Sequence, residues 1–363
     1  MLNRNDINLF HPRDQQTRPK LEGNQDFFQP RMNLIMLWCA CAHCTGLTSN
    51  ISIMRMAVLD VGSNTVHLLI VDAYAGAAPI PAMSQKYELR LAQQLQGEGG
   101  LTKSSVKSLI EVLHECNAFI KEHDCDELLA FATSAIRESS NSDAILAKIK
   151  AETGIELQVL DGEHEAALTF LAVRRWFGWS SGRLLVADIG GGSFEVAFGA
   201  DEQPDLAMSI PLGAGRLTRD FFTSEIPSSD EIKSVRKHIK RTLEENFSPL
   251  QGVNFDHAVA TTKTFRQLAR IGGAAASSED QRVQRELSLK TLDTWVPSLC
   301  EMTFAQRAQL PGVSNGRAEQ LIAGAIVAQE AMAFLGLTIL EICPWALREG
   351  LILRRLDWFP DDA

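Results

Sequence analysis

Three consecutive glycines interrupt an apolar run at Leu184–Phe198 (LLVADIGGGSFEVAF), and no other stretch of this 363-residue chain restricts its fold as much. The apolar segments on either side, with their β-branched residues, read as buried strands, and the glycines between them as the tight turn of a hairpin. Glycine lets successive backbone N–H groups converge on one point, which is the usual basis of an anion nest. Asp188 enters the turn and Glu195 leaves it, and strand alternation puts Glu195 on the same face as Ser193. Two carboxylates beside a phosphate nest would repel their ligand without a cation, and oxygen donors of this kind suit Mg2+ or Mn2+. Gly190, Gly191, Gly192 and Ser193, flanked by Asp188 and Glu195, therefore make a candidate metal-phosphate site.

The same device occurs earlier. Ala57–Asp60, the turn Gly62-Ser63-Asn64-Thr65 and the run Val66–Val71 repeat strand, Asp, small-residue turn, strand. Alone, such a turn also describes an ordinary hairpin whose Asp caps its own loop. Two copies in one chain point instead to a two-lobed nucleotide or phosphate clamp.

Composition narrows the function classes. With 45% hydrophobic and 22% charged residues the chain reads as a soluble globular protein with room for two domains. Its formal net charge of -10 argues against general nucleic-acid binding, so a polyanionic substrate needs a local basic patch plus metal. Cys116, Cys125, Cys300 and Cys343 are scattered among apolar neighbours, the pattern of reduced core thiols in a cytoplasmic protein. Residues 1–53 differ in texture. They are polar up to Arg31 and then carry the short apolar patch 34–42, too short for a bilayer span of about 20 residues. We expect 1–53 to be a disordered extension or upstream sequence read in frame, with no membrane association.

Along the chain, Met83–Leu91 reads as a third strand carrying Lys86 and Arg90, and Thr102–His123 as an amphipathic helix. Leu128–Ala132 is a buried strand that delivers Arg137 just beyond its C-terminal end, where ligand groups gather in open α/β sheets. Arg137 is thus a candidate for bidentate phosphate contact, its alternative being a solvated arginine at a helix start. Asn141 or Ser142 caps a helix to Thr153, Glu156–Leu160 is a short strand, and a long helix starts at Gly162 with Glu163 and Glu165 in its first turn. Those acids complement the helix dipole or do chemistry, and composition alone does not choose. Leu206–Pro211 reads as a strand, Ser229–Asn246 as a helix, and Asp256–Ala260 as a strand ending in hydroxyls and the cations Lys263 and Arg266. Leu321–Leu335 is a strongly apolar helix, Thr338–Ile342 a strand and Trp345–Leu356 a last helix.

With both hairpins, Ala132–Arg137, the 162–166 turn, Pro211–Arg219 and Glu341–Leu351 in hand, the chain resembles the exopolyphosphatase/guanosine pentaphosphate phosphohydrolase (Ppx/GppA) family, in its short actinobacterial form, from about Met56 to Asp357. The resemblance implies an α/β fold of two ribonuclease-H-like lobes, actin-like and sugar-kinase-like, with the active site in the cleft. It implies lobes at 54–180 and 181–363 and no additional C-terminal helical phosphohydrolase domain. It places Asp60, Asp188 and Glu195 at the metal and phosphate site, phosphates on the Gly62–Thr65 and Gly190–Ser193 turns, and the catalytic carboxylate at Glu165. Many members have Glu where this chain has His164.

The expected activity is metal-dependent hydrolysis of terminal phosphate from inorganic polyphosphate. Mg2+ or Mn2+ would serve as cofactor, Glu165 as base, and Arg137, Lys263 and Arg266, with Lys86 and Arg90, as chain-binding cations. Hydrolysis of guanosine pentaphosphate to the tetraphosphate is the rival within the same chemistry. A non-catalytic nucleotide sensor on the same scaffold and a kinase or synthase running towards polyphosphate are rivals from other classes. Relatives of this type are often homodimers.

Overall fold

The structure, a computed structural model, describes residues 53–358 apart from 75, 97 and 98. The expected extension, but for its last residue, lies outside the described residues. Within them, two sheets share one plan. The first contains β1 (Met54–Val61), β2 (Thr65–Ala73), β3 (Met83–Glu88), β4 (Glu127–Ala132) and β5 (Gln158–Val159) in the order β3-β2-β1-β4-β5. Its β1–β2 and β2–β3 pairs are antiparallel, while β1–β4 and β4–β5 are parallel. The second contains β6 (Leu184–Ile189), β7 (Phe194–Gly199), β8 (Leu206–Ile210), β9 (His257–Thr261), β10 (Glu286–Ser288) and β11 (Ile339–Ile342) in the order β8-β7-β6-β9-β11-β10. It repeats the antiparallel hairpins followed by parallel strands and adds β10 antiparallel at one edge. Each sheet carries one copy of the duplicated hairpin, as the two-lobed fold implied by the family resemblance requires.

Chemistry local to each element explains its limits. The helix α1 (Lys103–Glu122) starts where the Thr102 side chain accepts from the Ser105 amide, and it buries Val106, Leu109, Ile110 and Leu113 at helical spacing. After the short α2 (Ser134–Arg137), α3 (Ser142–Thr153) stops at Gly154, whose φ of 72° is the left-handed cap. The helix α4 (Gly162–Phe177) is capped by Asp161, which accepts from the His164 amide. In the second half, α5 (Ala214–Phe221), α6 (Ser229–Phe247) and α7 (Thr262–Ile271) precede β10. They are followed by α8 (Leu289–Cys300), α9 (Phe304–Ala308), α10 (Asn315–Ala318), α11 (Leu321–Phe334) and α12 (Leu347–Leu356). An apolar helix such as α11 needs cover on every side, and Leu321–Ala328 are all buried, packed with α6, α8 and the second sheet.

Two helices cross the expected boundary at 180/181. Helix α4 follows the first sheet in the chain but buries Ala166, Phe170 and Val173 against Leu184, Val186, Ala197 and Val259 of the second. Helix α12 follows the second sheet but packs Ile352 and Leu356 on Met56, Val58, Leu69 and Val71 of the first. The two meet at Gly350, where any Cβ would overlap the backbone of Leu168. Each half thus closes the core of the other, and both helix N-termini arrive between the sheets. Among the described residues no helix is long and apolar enough to cross a membrane.

Candidate active site

The β1–β2 and β6–β7 turns face each other across a cleft of about 730 Å3. Each turn is closed by the same bond: Gly62 N–H donates to Thr65 O at 3.0 Å, and Gly190 N–H to Ser193 O at 2.9 Å. The carbonyls of Gly190, Gly191 and Gly192 accept from the amides of Ala214, Arg216 and Gly213 at 3.0, 2.9 and 3.3 Å. In a planar trans peptide the next N–H points the opposite way, so the amides of Gly191, Gly192 and Ser193 are turned away from α5. Gly190, Gly191 and Ser193 line the cleft on that side. The first turn repeats this arrangement, with Ser63 O and Asn64 O accepting from residues 89–92 and the Asn64 and Thr65 amides directed away. Each turn is an amide cradle held from behind by its own lobe.

The glycines serve close approach as well. None of Gly190, Gly191 and Gly192 has positive φ. A Cβ on Gly191 would lie 2.6 Å from Asn64 Nδ2 and 2.9 Å from Ser63 Cβ, and one on Gly192 would lie 2.5 Å from Ser134 Oγ. Gly192 therefore packs against Ser134, and Gly191 both lines the cleft and touches the opposite turn. Ser63 Oγ meets Ser134 Oγ at 2.5 Å, and Asn64 exchanges two amide hydrogen bonds with Gln320, of 2.7 and 3.3 Å. Farther out, Glu319 accepts from Arg90 and Gln93 at 3.4 and 3.1 Å, and Arg219 donates to Ala92 O at 2.7 Å. Arg90 thus joins the two halves and does not line the cleft.

Four carboxylates converge here. Asp188 is paired in register with Glu195 across the second hairpin. Burial pushes Asp188 up to about 6 against a Thr262 hydrogen bond and the charges of Arg266 and Arg317. Glu195 is 3% exposed, accepts from Ser209 Oγ at 2.7 Å, and is held well above the usual carboxylate range by burial and by Glu165 and Asp188. Asp60 is raised by burial, opposed by Arg348. Glu165, brought in by the first turn of α4, accepts from Arg137 Nη1 at 3.0 Å. Burial raises it to about 7 against the pull of Arg137, with Asp188 and Asp60 adding to the rise. Glu163, two residues earlier, is exposed and outside the cleft. Thr262, whose φ of 64° is strained for a β-branched residue, starts α7 beside Asp188 and leans its hydroxyl towards Ile189 O.

Arg137 departs from the sequence expectation. Its guanidinium also donates to Leu160 O at 2.8 Å, and it lines a second cavity behind Glu165, not the cleft. Its position is that of a residue that orients Glu165. Asp60, Asp188 and Glu195 likewise do not form a protein-only cage, since among the described residues no three acidic, His or Cys groups are placed to hold a metal together. Oxygen donors in ones and twos are what Mg2+ uses when waters and substrate phosphates complete its shell. Four mutually repelling carboxylates held above their normal range fit such a cation.

The cleft is also lined by cations, and much of this was not apparent from the chain alone. Lys263, which donates to Ser314 Oγ at 3.0 Å, and Arg266 line it as expected. Lys86, Arg317, Arg270 and Arg348 line it too. Lys263 is pushed down to about 8 by burial and then by Lys86 and Arg317, and Lys86 is lowered by burial, Arg317 and Arg348. Arg348 donates to His67 Nδ1, and burial together with Arg348 and Lys86 drives His67 down to about 3, so its ring is a neutral acceptor. His67 is opposite Asp60 in the first hairpin, the place Glu195 takes opposite Asp188 in the second. Aligning the two hairpins in the sequence would have found it.

A sequence profile described as the Ppx/GppA phosphatase family matches residues 69–359. Exopolyphosphatase 1 of Mycobacterium tuberculosis (strain H37Rv) is 50% identical over 305 residues, covering 84% of this chain and 89% of that protein. The protein of the same name from Mycobacterium leprae is 48% identical, with 84% and 90% covered. Among solved structures, the Aquifex aeolicus Ppx/GppA family member superposes with a TM-score of 0.69 at 26% identity, over 84% of this chain and 99% of that one. An exopolyphosphatase from Cytophaga hutchinsonii gives 0.75 at 23% identity, over 84% and 98%, a likeness of fold.

Proposed function

The chain belongs to the Ppx/GppA phosphatase family, and from that premise we propose that it is an exopolyphosphatase, a hydrolase that removes terminal orthophosphate from inorganic polyphosphate. The observation that carries this reading is the placement of Glu165, a carboxylate that burial raises to about 7, in a cleft lined by both amide cradles and by Lys86, Lys263, Arg266 and Arg317. A base poised near the working pH is the requirement of general-base catalysis. The terminal phosphoryl group would lie between the Gly62–Thr65 and Gly190–Ser193 amides. Water oxygen attacks its phosphorus while Glu165 takes the proton. The bridging P–O bond breaks with its electron pair going to the oxygen that ends the shortened chain, and orthophosphate is the other product.

A divalent cation on Asp60, Asp188 and Glu195 would neutralise phosphoryl oxygens and let these acids ionise. Ser209 and Thr262 orient Glu195 and Asp188, and Arg137 orients Glu165. Lys86, Lys263, Arg266 and Arg317 would bind the following phosphates, whose charge offsets the burial and the Lys86 and Arg317 repulsion that lower Lys263. Polyphosphate is favoured over guanosine pentaphosphate because no Phe, Tyr or Trp is present among the described residues lining the cleft to stack on a guanine base. Phosphate release from both substrates, with Mg2+ and with excess chelator, tests this. Release from polyphosphate that chelation abolishes is expected; release from guanosine pentaphosphate alone, or full activity in chelator, would overturn it.

A further inference from the structure

Behind the carboxylates lies a second cavity, of about 650 Å3, which shares Ser193 with the cleft. We propose that it is the exit through which orthophosphate leaves while the shortened chain stays in the cleft. This rests on the hydrolase reading above. The partition between the two spaces is one pair of side chains thick. Glu165 faces the cleft and its partner Arg137 the rear cavity; Glu195 faces the cleft and its partner Ser209 the rear cavity. After the P–O bond breaks, orthophosphate lies between this wall and the remaining chain, which the cations lining the cleft hold. Leaving by the front would require the chain to dissociate after each cut. Leaving by the rear requires only that Arg137 move off Glu165, and its guanidinium can pass the same donors to phosphate oxygens.

The lining beyond Arg137 suits a passage and not a store. Asp161, Glu163 and Glu138 line it, Glu138 bound to Arg216, so Arg137 is the one cation among the described residues lining it and a phosphate past Arg137 has no second basic group in that lining to hold it. The remaining wall is the neutral Met208, Ile210, Pro211 and Asn246.

The exit is tested by filling it. Met208→Trp and Asn246→Trp each put an indole in the rear cavity and alter no group placed in the chemistry; Asn246 sits near the end of α6 and its amide bonds only within that helix. With Mg2+ and polyphosphate, quench-flow counts phosphate formed and a fluorescent phosphate-binding protein counts phosphate released. Expected is wild-type formation in the first turnover and release slowed about tenfold or more, in whichever variant keeps the wild-type melting temperature. Phosphate formed and released at wild-type rates by a folded variant would overturn the exit alone. No phosphate in the wild-type quench would overturn the hydrolase reading and the exit with it.

Discussion

The two hairpins share one register, with Asp60 matching Asp188, Gly62 matching Gly190 and Thr65 matching Ser193, yet they have been put to different uses. In the second, the turn is bare glycine and the residue across from the aspartate is Glu195, so it contributes backbone amides and negative charge. In the first, Ser63 and Asn64 spend their side chains on Ser134 and Gln320, and the residue across from Asp60 is His67, neutral and tied to Arg348. The first hairpin therefore also fastens the lobes, through Asn64 and Gln320, and seats a cation, while the second places a buried carboxylate at the matching position. A duplicated motif can conserve its geometry and divide its chemistry.

The largest test of this division lies just outside both hairpins. Glu165→Gln keeps the hydrogen bond from Arg137 but cannot take a proton, and turnover should fall by roughly 10²–10⁴-fold with little change in melting temperature. Glu163→Gln, in the same helical turn but exposed, should stay near wild type; equal rates for the two would remove Glu165 from the chemistry. Next in size are the matched positions. Glu195→Gln should cost about 10–100-fold and weaken the response to Mg2+, whereas His67→Gln, whose amide oxygen can still accept from Arg348, should stay within a few-fold. Equal losses would mean that the halves are equivalent after all. Smaller still is the contact between the turns. Gly191→Ala forces a Cβ onto Asn64 and Ser63, an overpacking of about 1–3 kcal/mol that should lower both melting temperature and rate. Ser63→Ala deletes only one hydroxyl and should cost about 1 kcal/mol or less; a Gly191→Ala protein as stable and active as wild type would show that the lobes need not meet there.

Much of this was legible in the chain because it is local. Strand, aspartate, small-residue turn and strand are specified within about fifteen residues, and helix starts such as Thr102 and Asp161 carry their own caps. What was not legible depends on tertiary packing. Nothing in α4 or α12 says which sheet each will cover, since either apolar face fits either core. Arg137 lies just beyond a strand end as expected, but its hydrogen bond to Glu165 depends on α4 arriving beside it. Arg317 comes from the four-residue α10, too short for periodicity to reveal, and Arg348 reaches the cleft only because α12 crosses back. His67 had a signal, the seven-residue spacing that it shares with Glu195, which single-residue reasoning passes over.

The central claim, a neutral-range carboxylate acting as base between the two cradles, is tested most directly by kcat/KM for polyphosphate across pH. Glu165 must be deprotonated to accept the water's proton, so activity should fall as pH drops through about 7. The residual activity of Glu165→Gln should lack that limb. A wild-type profile flat from pH 5 to 8, or the same acid limb retained in Glu165→Gln, would contradict the account.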